Sequence, residues 1–221
     1  MDNAPALLGF ALGAYVLGSV PFGLLMGKAK GVDIRAHGSG NIGATNAMRV
    51  LGKKLGLVCF LLDVLKGALP VALAGWLLGY AGDETLSSAE AFAWVGVGLG
   101  AILGHMFSIF IGFKGGKGVA TGFGVLVAVW PFVTLPAVGA LVLWYATLKA
   151  TKYVSVSSCV ASVGMPVGVV IAALIRDDLP VAWPFAAVTT ALAALVIWKH
   201  RANLARVKRG EEPKVGRNKS G

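Results

Sequence analysis

Long runs of apolar residues, separated by short polar and glycine-rich segments, make up most of this chain. Seven runs stand out, at 5–27, 55–80, 91–112, 118–132, 133–150, 154–175 and 180–199. A helix that crosses a bilayer needs about 20 mostly apolar residues, so each run predicts one membrane-spanning helix. The fourth and fifth runs form one stretch that Pro131 and Pro136 divide. Without that division the chain would have six spans.

The overall composition agrees with a lipid environment. Hydrophobic residues make up 57% of the chain and charged residues only 14%, which is more apolar surface than one soluble core could bury. The first run follows the acidic start MDNAPALL and has no basic segment before it, so it predicts a span and not a cleaved signal peptide. The expected fold is an all-α integral membrane protein.

The distribution of Lys and Arg residues distinguishes between models with six and seven spans. Eighteen of the twenty Lys and Arg residues fall into four clusters, at 28–54, 114–117, 149–152 and 199–219. Seven transmembrane helices with the N-terminus outside place every cluster on the cytoplasmic side, as the positive-inside rule requires. Six spans would put the second and third clusters on opposite sides. We therefore expect seven spans, a cytoplasmic C-terminus, a single membrane domain over 1–210 and a polar cytoplasmic tail over 211–221, frayed beyond about residue 210.

The first predicted cytoplasmic loop, GVDIRAHGSGNIGATNAMRVLGKKLG, favours anion binding. Gly38, Gly40 and Gly43 permit a backbone nest of N–H groups, and Arg49 offers a planar cation for bidentate phosphate contact. Side-chain donors come from Ser39, Asn41, Thr45 and Asn46. The alternative is a flexible connector. The glycines also match G-x-G-x-x-G, but no apolar strand precedes them, so a dinucleotide fold is rejected.

The second loop, GHMFSIFIGFKGGKGVATGFG, places two lysines around two glycines. Lys114 and Lys117 flank Gly115 and Gly116, which can curl around an oxyanion, although the spacing does not match a Walker A loop. His105 lies near the cytoplasmic end of the preceding span. A histidine in a helix is often structural, yet ionisable groups inside a membrane are costly and tend to mark function.

Two smaller groups lie on the same predicted side. Ser155 and Ser158 share one face at the start of the sixth span, where they could bind an anion or serve as packing residues. After the seventh span, KHRANLARVKRG sets His200, Asn203 and Arg206 on one helical face, as part of a site or as an interfacial anchor.

Other residues favour structural roles. Asp63 and Lys66, at i, i+3 in the second span, are expected to pair and hold helix packing, with a functional role as the alternative. Cys59 and Cys159 read as small apolar packing residues without a CxxC motif. The net charge of +10 does not indicate nucleic acid, because the cations lie beside membrane spans without interleaved aromatic residues.

The motifs GSGNIGATNAMR, GHMFSIFIGFKGGKGVATGFG, KYVSVSS and HRANLARVKRG, in this order, resemble the signature blocks of the bacterial membrane glycerol-3-phosphate acyltransferases that use acyl phosphate (the PlsY family). The resemblance covers nearly the whole chain. It implies a seven-helix enzyme of the bacterial inner membrane, with its active site at the cytoplasmic face, that makes 1-acylglycerol-3-phosphate. It also implies transient contact with an enzyme that produces acyl phosphate. Ser108 departs from the family pattern, which has proline there.

The resemblance assigns functional roles to residues in four motifs. They are Ser39, Arg49, His105, Lys117, Ser158, His200 and Asn203. It suggests that Arg49, Lys117, His200 and Asn203 engage glycerol 3-phosphate, while the neighbourhood of Ser39 and Lys117 holds acyl phosphate. With Gly38, Gly40, Asn41, Lys114, Gly115 and Gly116, these residues make up the expected site.

The expected chemistry needs no metal or cofactor, because acyl phosphate is an activated mixed anhydride. There is no GxSxG motif, and no H-x4-D motif, since Phe110 is the fifth residue after His105. Direct transfer is therefore favoured over a covalent acyl-enzyme. The proton acceptor stays open between His105, His200 and the departing phosphate. A transporter of organic anions is the main alternative class, but its site would lie near the bilayer midplane. A lipid-binding scaffold would not explain two anion loops.

Overall fold

A computed structural model describes residues 3–177 and 179–215 of the chain. Every regular element in these ranges is helical, which confirms the all-α prediction for this part of the chain. The α-helices are α1 (Ala4–Gly18), α2 (Phe22–Ala29), α3 (Ala44–Leu51), α4 (Lys53–Leu77), α5 (Ser88–Met106), α6 (Val119–Ala128), α7 (Thr134–Thr151), α8 (Val154–Arg176) and α9 (Leu179–Lys208). Short 3-10 helices occupy Ile34–Ala36 and Ile109–Ile111.

Five helical segments in the described chain are long and apolar enough to cross a membrane. They are Ala4–Ala29, Lys53–Leu77, Ser88–Ile111, Val154–Arg176 and Ala182–Lys208. The predicted spans 118–132 and 133–150 correspond to the shorter helices α6 and α7. The apolar stretch is divided as predicted, with Pro131 between these two helices and Pro136 in the first turn of α7. With ten residues, α6 is only about 15 Å long, half of a bilayer core of about 30 Å.

Helix α4 shows how these helices face an apolar surrounding. Leu61, Leu65, Leu69 and Leu73 follow one another at intervals of four residues, and each is about half exposed. The opposite face buries the charged residues Asp63 and Lys66. Large apolar side chains therefore point outward while charges point inward, which is the arrangement expected for a helix in lipid.

The chain divides after Thr134 into two compact units. In the first unit, glycines bring helices into backbone contact. A Cβ atom at Gly18 would overlap the backbone of Ala101, and one at Gly104 would overlap the carbonyl of Tyr15, so α1 and α5 pack tightly. Gly67 and Gly124 make the same kind of close approach between α4 and α6. These contacts hold α1 against α5 and α4 against α6. Candidate residues lie on or next to these helices.

In the second unit, α8 packs along α9, and α7 packs against α8. Gly164 lies against Leu143, and Gly168 lies at van der Waals distance from Pro136. Trp144 on α7 donates a hydrogen bond from Nε1 to Oγ of Ser158 on α8, at 3.3 Å. The start of α8 is therefore held by a side-chain contact as well as by small residues.

Candidate active site

The first loop is organised by Asn46, which is buried in α3. Its Nδ2 group donates to the carbonyl oxygens of Ile34 (2.8 Å) and His37 (3.2 Å), and its Oδ1 accepts from the backbone N–H of Ser39 (2.8 Å). Gly38 has a φ of +62°, and a Cβ there would overlap Oδ1 of Asn46. One amide side chain thus fixes the loop on both sides of Gly38 and places Ser39.

The glycine-rich loop uses several of its own backbone donors. The N–H of Ser39 is bonded to Asn46, that of Gly40 to the carbonyl of His37 (3.1 Å), and that of Gly43 to Oδ1 of Asn41 (2.9 Å). This differs from the sequence-based expectation that the glycines expose such groups for an anion. The asparagines that were predicted as ligands satisfy the loop internally, because each can bond a nearby backbone group.

Arg49 lies on the exposed side of α3, one turn after Asn46. Asn46 and Arg49 lie in the same helix, and Asn46 accepts a hydrogen bond from the backbone N–H of Ser39. Ser39 and Arg49 are therefore both held by α3. Arg35, the other arginine of this loop, is engaged with Asp33 at 2.6 Å on the surface. Hydrogen bonds from Arg35 lower the pKa of the Asp33 carboxyl to about 2. Arg35 is therefore committed to a local turn.

The second loop folds back onto the end of α5, where His105 is buried. The N–H of Gly116 donates to the carbonyl of His105 at 2.9 Å. A Cβ at Gly115 would overlap that carbonyl, and a Cβ at Gly116 would overlap Nε2 of the imidazole. The two glycines are therefore required by close packing on His105, a reason that the sequence pattern alone does not reveal.

The two lysines of this loop differ in exposure. Lys114 is exposed, whereas Lys117 is partly buried next to Gly118, the residue that precedes α6. Gly118 has a φ of +75°, which turns the chain sharply into α6. The structure thus packs Gly115 and Gly116 against His105, with Lys114 and Lys117 on either side of them in the sequence.

A buried charge cluster next to His105 was only partly predicted. Lys66 Nζ lies 2.8 Å from Asp63 Oδ1, which confirms the predicted ion pair. The same carboxylate oxygen lies 3.6 Å from Nδ1 of His105. The i, i+3 spacing within α4 indicates the contact between Asp63 and Lys66. The contact between Asp63 and His105 depends on how α4 packs against α5, which no local sequence motif indicates.

Ser108, which replaces the proline of the family pattern, has a structural role. Its hydroxyl donates to the carbonyl of Ser19 at 2.5 Å, just after the end of α1. Helix α5 ends at Met106 without a proline. The serine therefore ties the second loop to the α1–α2 connection by a hydrogen bond that proline could not make.

In the second unit, Glu212 gathers three side chains. Its Oε1 accepts from Asn203 Nδ2 (2.6 Å) and from Ser155 Oγ (3.3 Å), and its Oε2 accepts from Arg206 Nε (2.8 Å). The sequence does not single out Glu212, because two adjacent glutamates in a polar C-terminal segment are expected to be exposed to solvent. The fraying expected beyond residue 210 is wrong for 211–215, since Glu212 is buried and the N–H of Val215 donates to the carbonyl of Lys152 at 2.9 Å. The rest of the predicted tail, 216–221, lies outside the described residues.

Ser158 and His200 are buried in the same unit. Ser158 Oγ accepts from Trp144, as described above. His200 Nδ1 lies 2.8 Å from the carbonyl oxygen of Val196. A carbonyl can only accept, so Nδ1 carries the hydrogen and Nε2 of the neutral ring is the basic nitrogen. Ser155, Asn203 and Arg206 meet at Glu212, Ser158 accepts from Trp144, and His200 bonds the carbonyl of Val196.

Each unit, taken by itself, contains hydroxyl, amide, imidazole and cationic side chains, which are groups that can bind an oxyanion. Among the described residues, no group of three or more His, Cys, Asp and Glu side chains is arranged to hold a metal ion. The fold is that of a helical membrane protein, with several segments long and apolar enough to cross a bilayer.

Comparison with known proteins gives the family. Residues 8–210 match the glycerol-3-phosphate acyltransferase family. The glycerol-3-phosphate acyltransferase of Geobacter sulfurreducens is 46% identical over 200 residues, covering 90% of this chain and 92% of that protein. The enzyme of the same name from Listeria monocytogenes (serovar 1/2a) is 41% identical over 210 residues, covering 95% and 96%.

Solved structures agree with these relatives. The crystal structure of PlsY (YgiH), an integral membrane glycerol 3-phosphate acyltransferase, in its glycerol 3-phosphate form has a TM-score of 0.81 to this chain, at 38% identity and 96% coverage of both chains. The lysophosphatidic acid form gives a TM-score of 0.79 at 37% identity. The chain belongs to the PlsY family of glycerol-3-phosphate acyltransferases and is a multi-pass integral membrane protein.

Proposed function

We propose that the protein transfers a fatty acyl group from acyl phosphate to the 1-hydroxyl of glycerol 3-phosphate, releasing 1-acylglycerol-3-phosphate and phosphate. The observation that carries this proposal is the match over 96% of both chains to PlsY in its glycerol 3-phosphate form. Acyl phosphate as donor fits the absence of a GxSxG or H-x4-D motif, because a mixed anhydride needs no prior activation.

The reaction is a direct acyl transfer. The 1-hydroxyl oxygen attacks the acyl carbonyl carbon, the new ester C–O bond forms, and the bond from that carbon to the phosphate oxygen breaks. The hydroxyl proton passes to an acceptor, and phosphate departs with the electron pair of the broken bond. N–H groups and cations stabilise the negative charge that develops on the carbonyl oxygen. Proximity and orientation supply the remaining acceleration.

Each unit contributes its own residues to this scheme. In the first unit, we assign phosphate recognition to Arg49 and Lys117, and support of the acyl phosphate to Ser39 and the glycine loop at 114–117. In the second unit, we assign substrate binding to Ser158, His200 and Asn203. Support comes from the exposed position of Arg49 and from the burial of Ser158, His200 and Asn203, since burying polar groups in a membrane protein is costly unless they serve a purpose.

Three groups can accept the hydroxyl proton. The phosphate of the donor is one. The others are His105, whose Nε2 lies against the loop at Gly116, and His200, whose Nε2 is the basic nitrogen when the ring is neutral. A pH profile of kcat in His105→Gln and His200→Gln separates them, because a protein base disappears with its residue and substrate assistance persists in both variants.

We further propose seven membrane crossings, an external N-terminus and a cytoplasmic active site in the bacterial inner membrane, near an enzyme that supplies acyl phosphate. Support comes from the four basic clusters, which lie on one side only if the number of crossings between 117 and 149 is even. Cysteine labelling at Lys114 and Lys149 tests this, and labelling from opposite faces would exclude it.

The activity test uses protein purified in detergent, glycerol 3-phosphate and palmitoyl phosphate. We expect release of phosphate with formation of an equal amount of 1-palmitoylglycerol-3-phosphate, detected by mass spectrometry. A parallel reaction with palmitoyl-CoA should give no product. Product from palmitoyl-CoA alone would replace the proposed donor, and an acyl label that stays on the denatured protein without glycerol 3-phosphate would replace direct transfer by a covalent route.

A further inference from the structure

Asp63 lies at the centre of a buried charge cluster between α4 and α5. Its Oδ1 atom is 2.8 Å from Nζ of Lys66 and 3.6 Å from Nδ1 of His105. The three side chains are each at most 4% exposed. A carboxylate in this position is costly unless it is paired, and a histidine next to it is constrained in orientation.

Lys66 is held in place by contacts other than the carboxylate. Its Nζ also donates to the carbonyl of Val20 at 2.8 Å and lies 5.5 Å from the centre of the Phe22 ring. The ammonium therefore balances the charge of Asp63 from one side. The same carboxylate oxygen lies 3.6 Å from Nδ1 of His105.

The opposite edge of the His105 ring meets the glycine loop. Gly116 packs so closely on Nε2 that a Cβ would overlap it, and its N–H is bonded to the His105 carbonyl. The imidazole is thus placed between the carboxylate on α4 and the loop that carries Lys117. Among the described residues Nδ1 has no hydrogen-bond partner, and the Asp63 carboxylate lies 3.6 Å from it as an available acceptor.

We propose that Asp63 is a positioning residue for acyl transfer, acting through His105. The carboxylate selects the ring tautomer with hydrogen on Nδ1 and directs Nε2 at the loop formed by residues 114–117. The 3.6 Å separation shortens to a hydrogen bond in the working complex, since catalytic hydrogen bonds are often long without substrate. This inference rests on the proposed function for its kinetic consequence, but its structural claim can be measured without any turnover.

The structural claim is tested by the ring nitrogen shifts of the protein labelled with [15N]histidine in detergent micelles. The chain has three histidines, and the His105 signals are those lost in His105→Gln. We expect neutral His105 to be the Nδ1–H tautomer in the wild type and to lose that preference in Asp63→Asn/Lys66→Met. A wild-type ring with hydrogen on Nε2, or an unchanged tautomer in the double variant, overturns the proposal.

The kinetic claim is tested by a cycle of variants. Asp63→Asn/Lys66→Met removes both charges and leaves no unpaired ion in the membrane. We expect kcat to fall on the order of tenfold to a hundredfold, as for other groups that orient an imidazole, with little change in the KM for glycerol 3-phosphate. Adding His105→Gln to this double variant should lower kcat no further than His105→Gln does alone.

Controls separate positioning from folding. Thr189→Val removes another buried hydroxyl, bonded to the Phe185 carbonyl at 2.7 Å, and should leave kcat unchanged. If the double variant does not fold, Asp63→Glu keeps the charge pair while moving the carboxylate, and should still lower kcat. Full kcat in the variant that folds, or losses that multiply with His105→Gln, would refute the positioning role. An inactive wild type would instead refute the proposed function and leave the tautomer measurement to decide this inference.

Discussion

Asn203 donates a hydrogen bond to Glu212 at 2.6 Å across the end of α9, so a segment that follows the last helix holds a predicted substrate-binding side chain. The same carboxylate binds Ser155 at the start of α8 and Arg206 on α9. Glu212 therefore connects three points of the second unit.

Replacement of Glu212 by alanine should destabilise the protein and reduce activity, because it leaves Asn203, Ser155 and Arg206 without their shared acceptor. Loss of buried bonds to a charged group predicts a cost of about 1.5–3 kcal/mol. Thermal unfolding in detergent measures this. The matched control is Glu211→Ala, whose ion pair with Arg209 is exposed and should contribute about 0–1 kcal/mol. Equal destabilisation by the two changes would contradict the assignment.

Asn46→Ala should disorder the first loop, because the carbonyls of Ile34 and His37 and the N–H of Ser39 lose one shared partner. A buried group left unsatisfied costs about 1–3 kcal/mol. We expect a lower unfolding temperature and a loss of acyl transfer. Asn46→Asp should also fail, since a carboxylate cannot donate to the two carbonyls. Normal activity in Asn46→Asp would show that the loop does not depend on this amide.

Arg49→Ala should abolish turnover while the protein stays folded, because an exposed arginine contributes little to packing. The lost charge-assisted contact corresponds to about 1.5–3 kcal/mol per hydrogen bond. Arg49→Lys should fail as well, because an ammonium cannot reproduce the bidentate contact. Arg35→Ala is the control in the same loop, and it should remain active since Arg35 pairs with Asp33. Activity in Arg49→Ala close to that of the control would remove Arg49 from the site.

Gly116→Ala should lower kcat sharply, because the added methyl group would overlap Nε2 of His105 and push the loop away. Gly122→Ala is the matched control in α6, where the nearest atom to an added Cβ is Cδ1 of Ile102 at 3.8 Å. We expect that control to keep full activity and to be as stable as the wild type or slightly more so, since alanine favours a helix. Acyl-transfer assays on the two purified variants test this prediction, and equal kcat values in Gly116→Ala and Gly122→Ala would contradict it.

The sequence predicts those features that depend on local spacing and composition. The Asp63–Lys66 pair follows from i, i+3 spacing in an apolar helix. Apolar runs of membrane length predict α4, α8 and the segment Ser88–Ile111 to within a few residues, but the first run is broken between α1 and α2, and α9 continues to Lys208, past the predicted end at 199.

Features that depend on docking between distant segments are not visible in the sequence. The approach of Asp63 to His105 requires α4 and α5 to pack at one particular register, and the contact of Glu212 with Ser155 spans 57 residues. The first loop shows a related limit. Its glycines and asparagines look like ligands, yet several of them bond one another, because a side-chain amide can satisfy either a backbone group or a substrate.

Helix α6 rests on α4 through two reciprocal contacts, Gly67 on the Thr121 carbonyl and Gly124 on the Val64 carbonyl, so the two helices run in opposite directions. A segment of ten residues has too little apolar length to insert on its own, whereas α4 has ample length and is synthesised first. We therefore expect α4 to insert into the membrane first and α6 to insert afterwards by packing against it. Larger residues at Gly67 or Gly124 would prevent α6 from packing on α4. Chains with an unpacked α6 would be degraded, so less protein would accumulate in the membrane.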